Sequence, residues 1–218
     1  VMKTKCPDCS SGKSRHAKSS TTPVPPAAAT FDRVHIDCKI SSQPDRHGVT
    51  RVLGIVDSHS NDSWVKPLPD GTSASVIAAL RQWLVTDIKN HPVKELVLDN
   101  DPAFCSAEFI EFLEKEVKIP RFYSCAYHQH QNGVAEALWA RLTPLAIIFM
   151  QRAPWLGQRF WTEAMVYAND CMRRRPSYAN KQHRKAPMFV STGTARTDVL
   201  RPWGCVCYVH DEKAKGFK

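Results

Sequence analysis

With 218 residues, 43% of them hydrophobic and 23% charged, the chain can bury the core of one domain with extensions, or of two small ones, and is not a disordered polymer. No stretch approaches the ~20 apolar residues of a membrane span and no secretory segment opens the chain, so a soluble intracellular protein without membrane contact is expected. The net charge of +9 sits at the ends: residues 1–30 carry five Lys/Arg against one acidic residue, residues 171–218 eleven against three, and residues 31–170 fourteen against seventeen. Basic arms around an acidic centre suit a protein that handles nucleic acid, although tails that only keep a chain soluble would read the same way. Eight cysteines, six of them scattered through apolar patterns, favour reduced thiols over a disulfide framework.

Cys6-Pro7-Asp8-Cys9 has the spacing of half a zinc site, since two thiolates two residues apart can grip one tetrahedral ion. His16 offers a third ligand, so closure needs histidines from before Val1. Residues 17–30, rich in Ser, Thr, Pro and Ala, read as a linker. Phe31 to Ile40 then alternates, with Val34, Ile36, Cys38 and Ile40 on one face of a strand and Arg33, His35, Asp37 and Lys39 on the other. Strands follow at Arg51 to Val56 and Ser63 to Leu68, and the short connections predict an antiparallel meander.

Ser73 to Asn90 carries Val76, Ile77, Leu80, Trp83, Leu84 and Ile88 on one helical stripe, with Thr72 or Ser73 as N-cap and Pro92 just past the end. A crossover helix here predicts that the next strand, Glu95 to Leu98, lies parallel in the sheet. Ser106 caps a second helix with Phe109, Phe112, Leu113 and Val117 inward, Arg121 to Ser124 makes a fifth strand, and the polar loop Cys125 to Gly133 leads into a helix that opens with Glu136. A meander followed by alternating helices and strands describes an RNase H-like α/β fold, with a mixed five-stranded sheet between helices and basic N- and C-terminal extensions. The expected divisions are a zinc-segment end and linker at 1–30, the core at 31–170 and a basic post-core extension at 171–218.

Asp37 in mid-strand, Asp99 at a strand end and Glu136 at a helix start are three carboxylates presented from rigid elements. Gathered in one site they would repel unless hard divalent cations neutralised them, which points to two Mg²⁺ or Mn²⁺ ions. Asp99-Asn100-Asp101-Pro102 taken alone also reads as an ordinary turn. It does not begin a calcium loop, because Phe104 and Ile110 stand where glycine and glutamate are required.

In combination the motifs resemble the integrases of retroviruses and retrotransposons: Val34-His35-Ile36-Asp37-Cys38, Leu98-Asp99-Asn100 with Phe104, and Gln131-Asn132-Gly133-Val134-Ala135-Glu136. The flanks narrow the resemblance to the copia type of long-terminal-repeat retrotransposon: Cys6-x-x-Cys9-x-x-Gly12-Lys13 before the core, then Phe160-Trp161-x-Glu163-Ala164, Arg174-x-Pro176 and Leu200-Arg201-x-x-Gly204-Cys205-x-x-Tyr208 after it. The resemblance implies a DDE polynucleotidyl transferase that joins element DNA 3′ ends to target DNA. It makes Asp37, Asp99 and Glu136 the catalytic, metal-holding triad. Asn100, Gln131, Asn132, Arg141 and the run Arg173-Arg174-Arg175 become candidates for touching nucleic acid, and Cys6 and Cys9 become part of a Zn²⁺ site. Double-stranded DNA, a homo-oligomer and a nuclear location when active, otherwise a cytoplasmic particle, follow as expectations.

Three departures weigh on activity. Asp101 stands where the family usually has glycine and adds a fourth carboxylate, which could crowd the metals or serve as an extra ligand. The helix after Glu136 reads Ala137-Leu138-Trp139-Ala140-Arg141, leaving only Arg141 of the basic residues that usually grip DNA. Pro144 cannot donate to the Ala140 carbonyl and is expected to kink or break that helix, at about 3 kcal/mol if unrelieved. The alternative function is therefore an integrase-like domain, degenerate or co-opted, that binds nucleic acid or protein without catalysis. An RNase H-type nuclease would share the fold and metals but leaves the flanking motifs unexplained.

Overall fold

The structure, a computed structural model, describes residues 27–123, 133–176, 184–195 and 198–205. Five strands form one mixed sheet: β1 (Arg33–Ile40), β2 (Arg51–Asp57), β3 (Ser63–Leu68), β4 (Glu95–Leu98) and β5 (Arg121–Tyr123), in the spatial order β3-β2-β1-β4-β5. Short connections make β1, β2 and β3 antiparallel, whereas helical crossovers bring β4 parallel to β1 and β5 parallel to β4. This is the RNase H-like sheet expected from the sequence.

The alternation of β1 divides the interior. Val34 and Ile36 turn to one face, where Leu53, Ile55, Leu96 and Leu98 meet the crossover helices. On the other face Val52, Val56 and Val65 pack under two long helices, α4 (Gly133–Arg152) and α5 (Trp161–Arg173), through Leu138, Trp139, Leu142, Ala164 and Met165. Asp37 belongs to this second face by its parity with Val52 across the sheet.

The first crossover helix, α1 (Ser73–Gln82), starts where Thr72 accepts from the Ser75 N–H, as expected. It does not continue as a regular helix to Asn90. From Trp83 to Asp87 the winding widens, with the Ile88 N–H donating to the Trp83 carbonyl at 3.1 Å. The wider turn brings Trp83 and Ile88, five positions apart, toward the same side, and both are buried. A short helix α2 (Pro102–Cys105) precedes α3 (Ala107–Glu111), which Ser106 caps as expected through the Phe109 N–H. A further wide turn, Phe112–Val117, ends at Lys118 in the left-handed region with φ 55°.

Two expectations about α4 are corrected. Pro144 does not break it: the helix runs on to Arg152. Ala140 and Pro144 both face solvent, so water can satisfy the carbonyl that proline leaves without a donor. The helix is also long and apolar enough, at mean hydropathy 1.4 over a span-length window, to pass for a membrane segment, although no such stretch was expected. Its inner stripe of Ala135, Leu138, Trp139, Leu142 and Ala146 is buried against the sheet and α5.

Helix α5 runs through the expected 170/171 division and is bolted to the β2–β3 turn. Arg173 grips the fully buried Asp62 with Nε at 2.6 Å and Nη2 at 3.0 Å, and its guanidinium lies 4.7 Å over the Trp64 ring. Ser191, on the short helix α6 (Pro187–Thr192), donates to the same carboxylate at 2.5 Å.

Candidate active site

Two of the three predicted carboxylates are brought together by strand register. Ile36 on β1 pairs with Leu98 at the end of the parallel β4, so Asp37, next on β1, and Asp99, just past β4, stand side by side at the sheet's centre. The two carboxyl groups are close enough to share a hydrogen bond. Burial, and after it the charge of Asp37, pushes the Asp99 carboxyl up to about 6. Burial raises Asp37 as well, and a hydrogen bond from Trp139 opposes that rise.

That hydrogen bond comes from across the sheet. Asp37 is paired on β2 with Gly54, and the absence of a side chain there admits the Trp139 ring: a Cβ on Gly54 would lie 2.5 Å from Trp139 Cζ2. The indole Nε1 then donates to Asp37 Oδ2 at 2.8 Å. Sequence reading missed Trp139 as a site residue and took it only as one of the residues replacing basic ones. Two signals could have revealed it: its place three positions after Glu136 on one helix face, and a glycine in a strand interior, which marks close approach of another group.

Asp101 has partners of its own. Its carboxylate caps α2 by accepting from the Ala103 N–H at 2.9 Å, and it holds Arg51 Nη1 at 3.2 and 3.3 Å. Its own N–H donates to Asp99 Oδ1 at 3.3 Å, which steadies Asp99. Its charge raises Asp37 and Asp99 less than their burial does. Asp followed by Pro is a helix-start signature, so this role was available in the sequence.

Glu136 lies in the first turn of α4 and is exposed. Among the described residues no three His, Cys, Asp or Glu side chains are arranged to hold a metal ion, so Glu136 is not gathered with the pair. Cys6, Cys9, Gln131 and Asn132 lie outside the described residues. Asn100 follows Asp99 on the exposed loop. Arg141 is half-buried and gives its Nε to the Ala137 carbonyl at 3.0 Å. Arg173 is committed to Asp62, and Arg174 pairs with Asp170 at 2.8 Å and Asp198 at 3.1 Å. Arg175 is exposed, and with Arg141 and Arg173 it lines an open groove of about 570 Å³ beside Pro144 and Leu145.

The donor chemistry at the pair fits a hard divalent cation. Two carboxylates stand side by side with raised proton affinity, and the Arg51 guanidinium is engaged by Asp101.

No protein-family description and no curated protein matches this sequence. Solved structures do. A chain of the simian T-cell lymphotropic virus intasome, in complex with the PP2A regulatory subunit B56 gamma, is 15% identical at TM-score 0.66, covering 94% of this chain and 69% of that one. The HTLV-2 integrase catalytic core domain in complex with magnesium is 17% identical at TM-score 0.58, covering 76% and 99%, and the BIV integrase catalytic core domain is 14% identical at TM-score 0.52, covering 67% and 86%. At these identities the likeness is one of fold: the chain is built as retroviral integrase catalytic cores are built.

Proposed function

We propose that this chain is the catalytic core of an integrase, of the copia retrotransposon type, that joins element DNA 3′ ends to target DNA with the help of divalent cations. The observation that carries the reading is the Asp37–Asp99 pair, set side by side by the β1–β4 register at the centre of an integrase-type sheet. Glu136 completes the triad in this reading. What supports including it is that it shares a helix with Trp139, which touches Asp37, and that residues three apart lie on neighbouring parts of a helix surface.

Asp37, Asp99 and Glu136 would hold two Mg²⁺ or Mn²⁺ ions, and the magnesium in the HTLV-2 core supports that choice. When bound, such ions supply activation of an attacking water or 3′-hydroxyl and stabilisation of the leaving 3′ oxygen. The chain's own part is to fix the ligands. β1 and β4 set the spacing of the two aspartates, Trp139 holds one oxygen of Asp37, and the Asp101 N–H steadies Asp99. Double-stranded DNA is the partner in this reading, contacted by Asn100, Gln131, Asn132 and the basic segments. The dimeric and trimeric forms of the HTLV-2 core favour a homo-oligomer. Cys6 and Cys9 would belong to a Zn²⁺ site completed upstream, and the protein would act in the nucleus.

The test is joining of a short duplex resembling an element end to plasmid DNA, with Mg²⁺ or Mn²⁺, for the parent and for Glu136→Gln. Metal-dependent joining by the parent and its loss in folded Glu136→Gln protein is the expected result. Equal rates would remove Glu136 from the triad. One observation favours the alternative of a binding domain without catalysis: Glu136 stands apart from the aspartate pair. In that case the parent binds DNA and joins nothing.

A further inference from the structure

Trp139 is held in place from every side that the sheet offers. Its ring lies on the bare backbone of Gly54, with Cζ2 and Cη2 at 2.5 and 2.8 Å from where a Cβ would be, and it is 8% exposed. Its neighbours Leu138 and Leu142 are fully buried on the same helix. The indole can therefore offer its N–H only where it does, to Asp37 Oδ2 at 2.8 Å. An indole is a donor and never an acceptor, so it cannot itself ligate a cation and cannot reverse the polarity of the contact. What it can do is choose how Asp37 presents itself, leaving Oδ1 and the second lone pair of Oδ2 for another partner. Groups of this kind, hydrogen-bonded to a ligand rather than to the ion, orient the ligand and set its affinity.

We propose that Trp139 is a positioning residue for a divalent-cation site formed by Asp37 and Asp99: the indole N–H, seated on Gly54, fixes the Asp37 carboxylate in its ion-binding orientation. The proposal rests on the reading of Asp37 and Asp99 as cation ligands. It departs from a packing role, because the same ring without its N–H would fill the space above Gly54 and leave the carboxylate free to turn.

The experiment measures Mn²⁺ binding to the full chain by titration calorimetry for the parent, Trp139→Phe and Asp37→Asn, with thermal melts of each. Trp139→Phe, which loses ring volume as well as the N–H, is expected to stay folded, to melt a few degrees below the parent, and to bind Mn²⁺ about tenfold more weakly, in the range for loss of a hydrogen bond to a ligand. Asp37→Asn is expected to lose the binding. A folded Trp139→Phe protein with affinity within twofold of the parent overturns the proposal while leaving the cation site standing. Should Trp139→Phe not fold, the parent decides: during a Mg²⁺ titration one indole N–H resonance should move in the nitrogen-15 spectrum and stay still in Asp37→Asn. No moving indole resonance overturns the proposal. Saturable Mn²⁺ binding absent from the parent, or unchanged in Asp37→Asn, removes the cation site itself and the proposal with it.

Discussion

The buried Asp62 and the half-buried Asp37–Asp99 pair are built on opposite plans. Asp62, without solvent exposure, is met by a bidentate Arg173, by the Ser191 hydroxyl and by the Ser63 N–H. Asp37 and Asp99 meet each other, and the Arg51 guanidinium is turned to Asp101. A compensated buried charge holds elements together; a pair of like charges kept side by side costs stability and marks a place where something is to be bound.

The contrast can be broken most severely at Arg173. Replacing it by Met leaves Asp62 buried and unpaired, and urea unfolding should show a loss of about 3–5 kcal/mol. Mg²⁺ should not restore it. Asp99→Asn should do the reverse of this. Joining activity should fall at least about a hundredfold, ~2.7 kcal/mol of transition-state stabilisation, while the metal-free protein melts at a higher temperature at pH 7 because the repulsion is gone. A lower melting temperature would place Asp99 with Asp62 as a structural charge.

A smaller effect is expected at Asp101, whose carboxylate has structural partners of its own. Asp101→Gly removes a fourth carboxylate, but it also removes the α2 cap and the partner of Arg51, so chemical denaturation should show a loss of about 1 kcal/mol. A further effect is on pH. The Asp99 carboxyl is raised from 3.8 to about 6, so between these values the folded protein holds a proton that the unfolded chain has released. This contribution to stability is complete below about 4 and is lost as pH rises through about 6. The melting temperature of the metal-free protein should fall by a few degrees over that window, and the fall should disappear in Asp99→Asn.

Much of the architecture was legible because it rests on patterns local to each segment. The alternation of β1, the caps at Thr72 and Ser106 and the apolar run Glu95–Leu98 each follow from a few consecutive side chains. The Asp37–Asp99 pair was legible at one remove, since a crossover helix between β3 and β4 implies the parallel pairing that aligns them. What escaped depends on contacts between distant segments. That Trp139 reaches Asp37 is decided by Gly54 on a third element, and the widened turn after Gln82 goes with the burial of Trp83 and Ile88 in the core rather than with any local turn or cap signal. The Arg173-Arg174-Arg175 run shows the same limit from the other side. Three adjacent cations read as one basic patch, yet two are taken by carboxylates from other parts of the chain.

The parallel pairing of β1 with β4 also bears on the order in which the protein assembles. β1, β2 and β3 are neighbours in the chain and zip by short loops, whereas β4 must be recruited from beyond β2, β3 and α1. The step that closes the centre of the sheet is therefore the slow, long-loop step, and it is the same step that pushes Asp99 against Asp37. Like charge opposes that approach, so a proton held by either aspartate favours the closure.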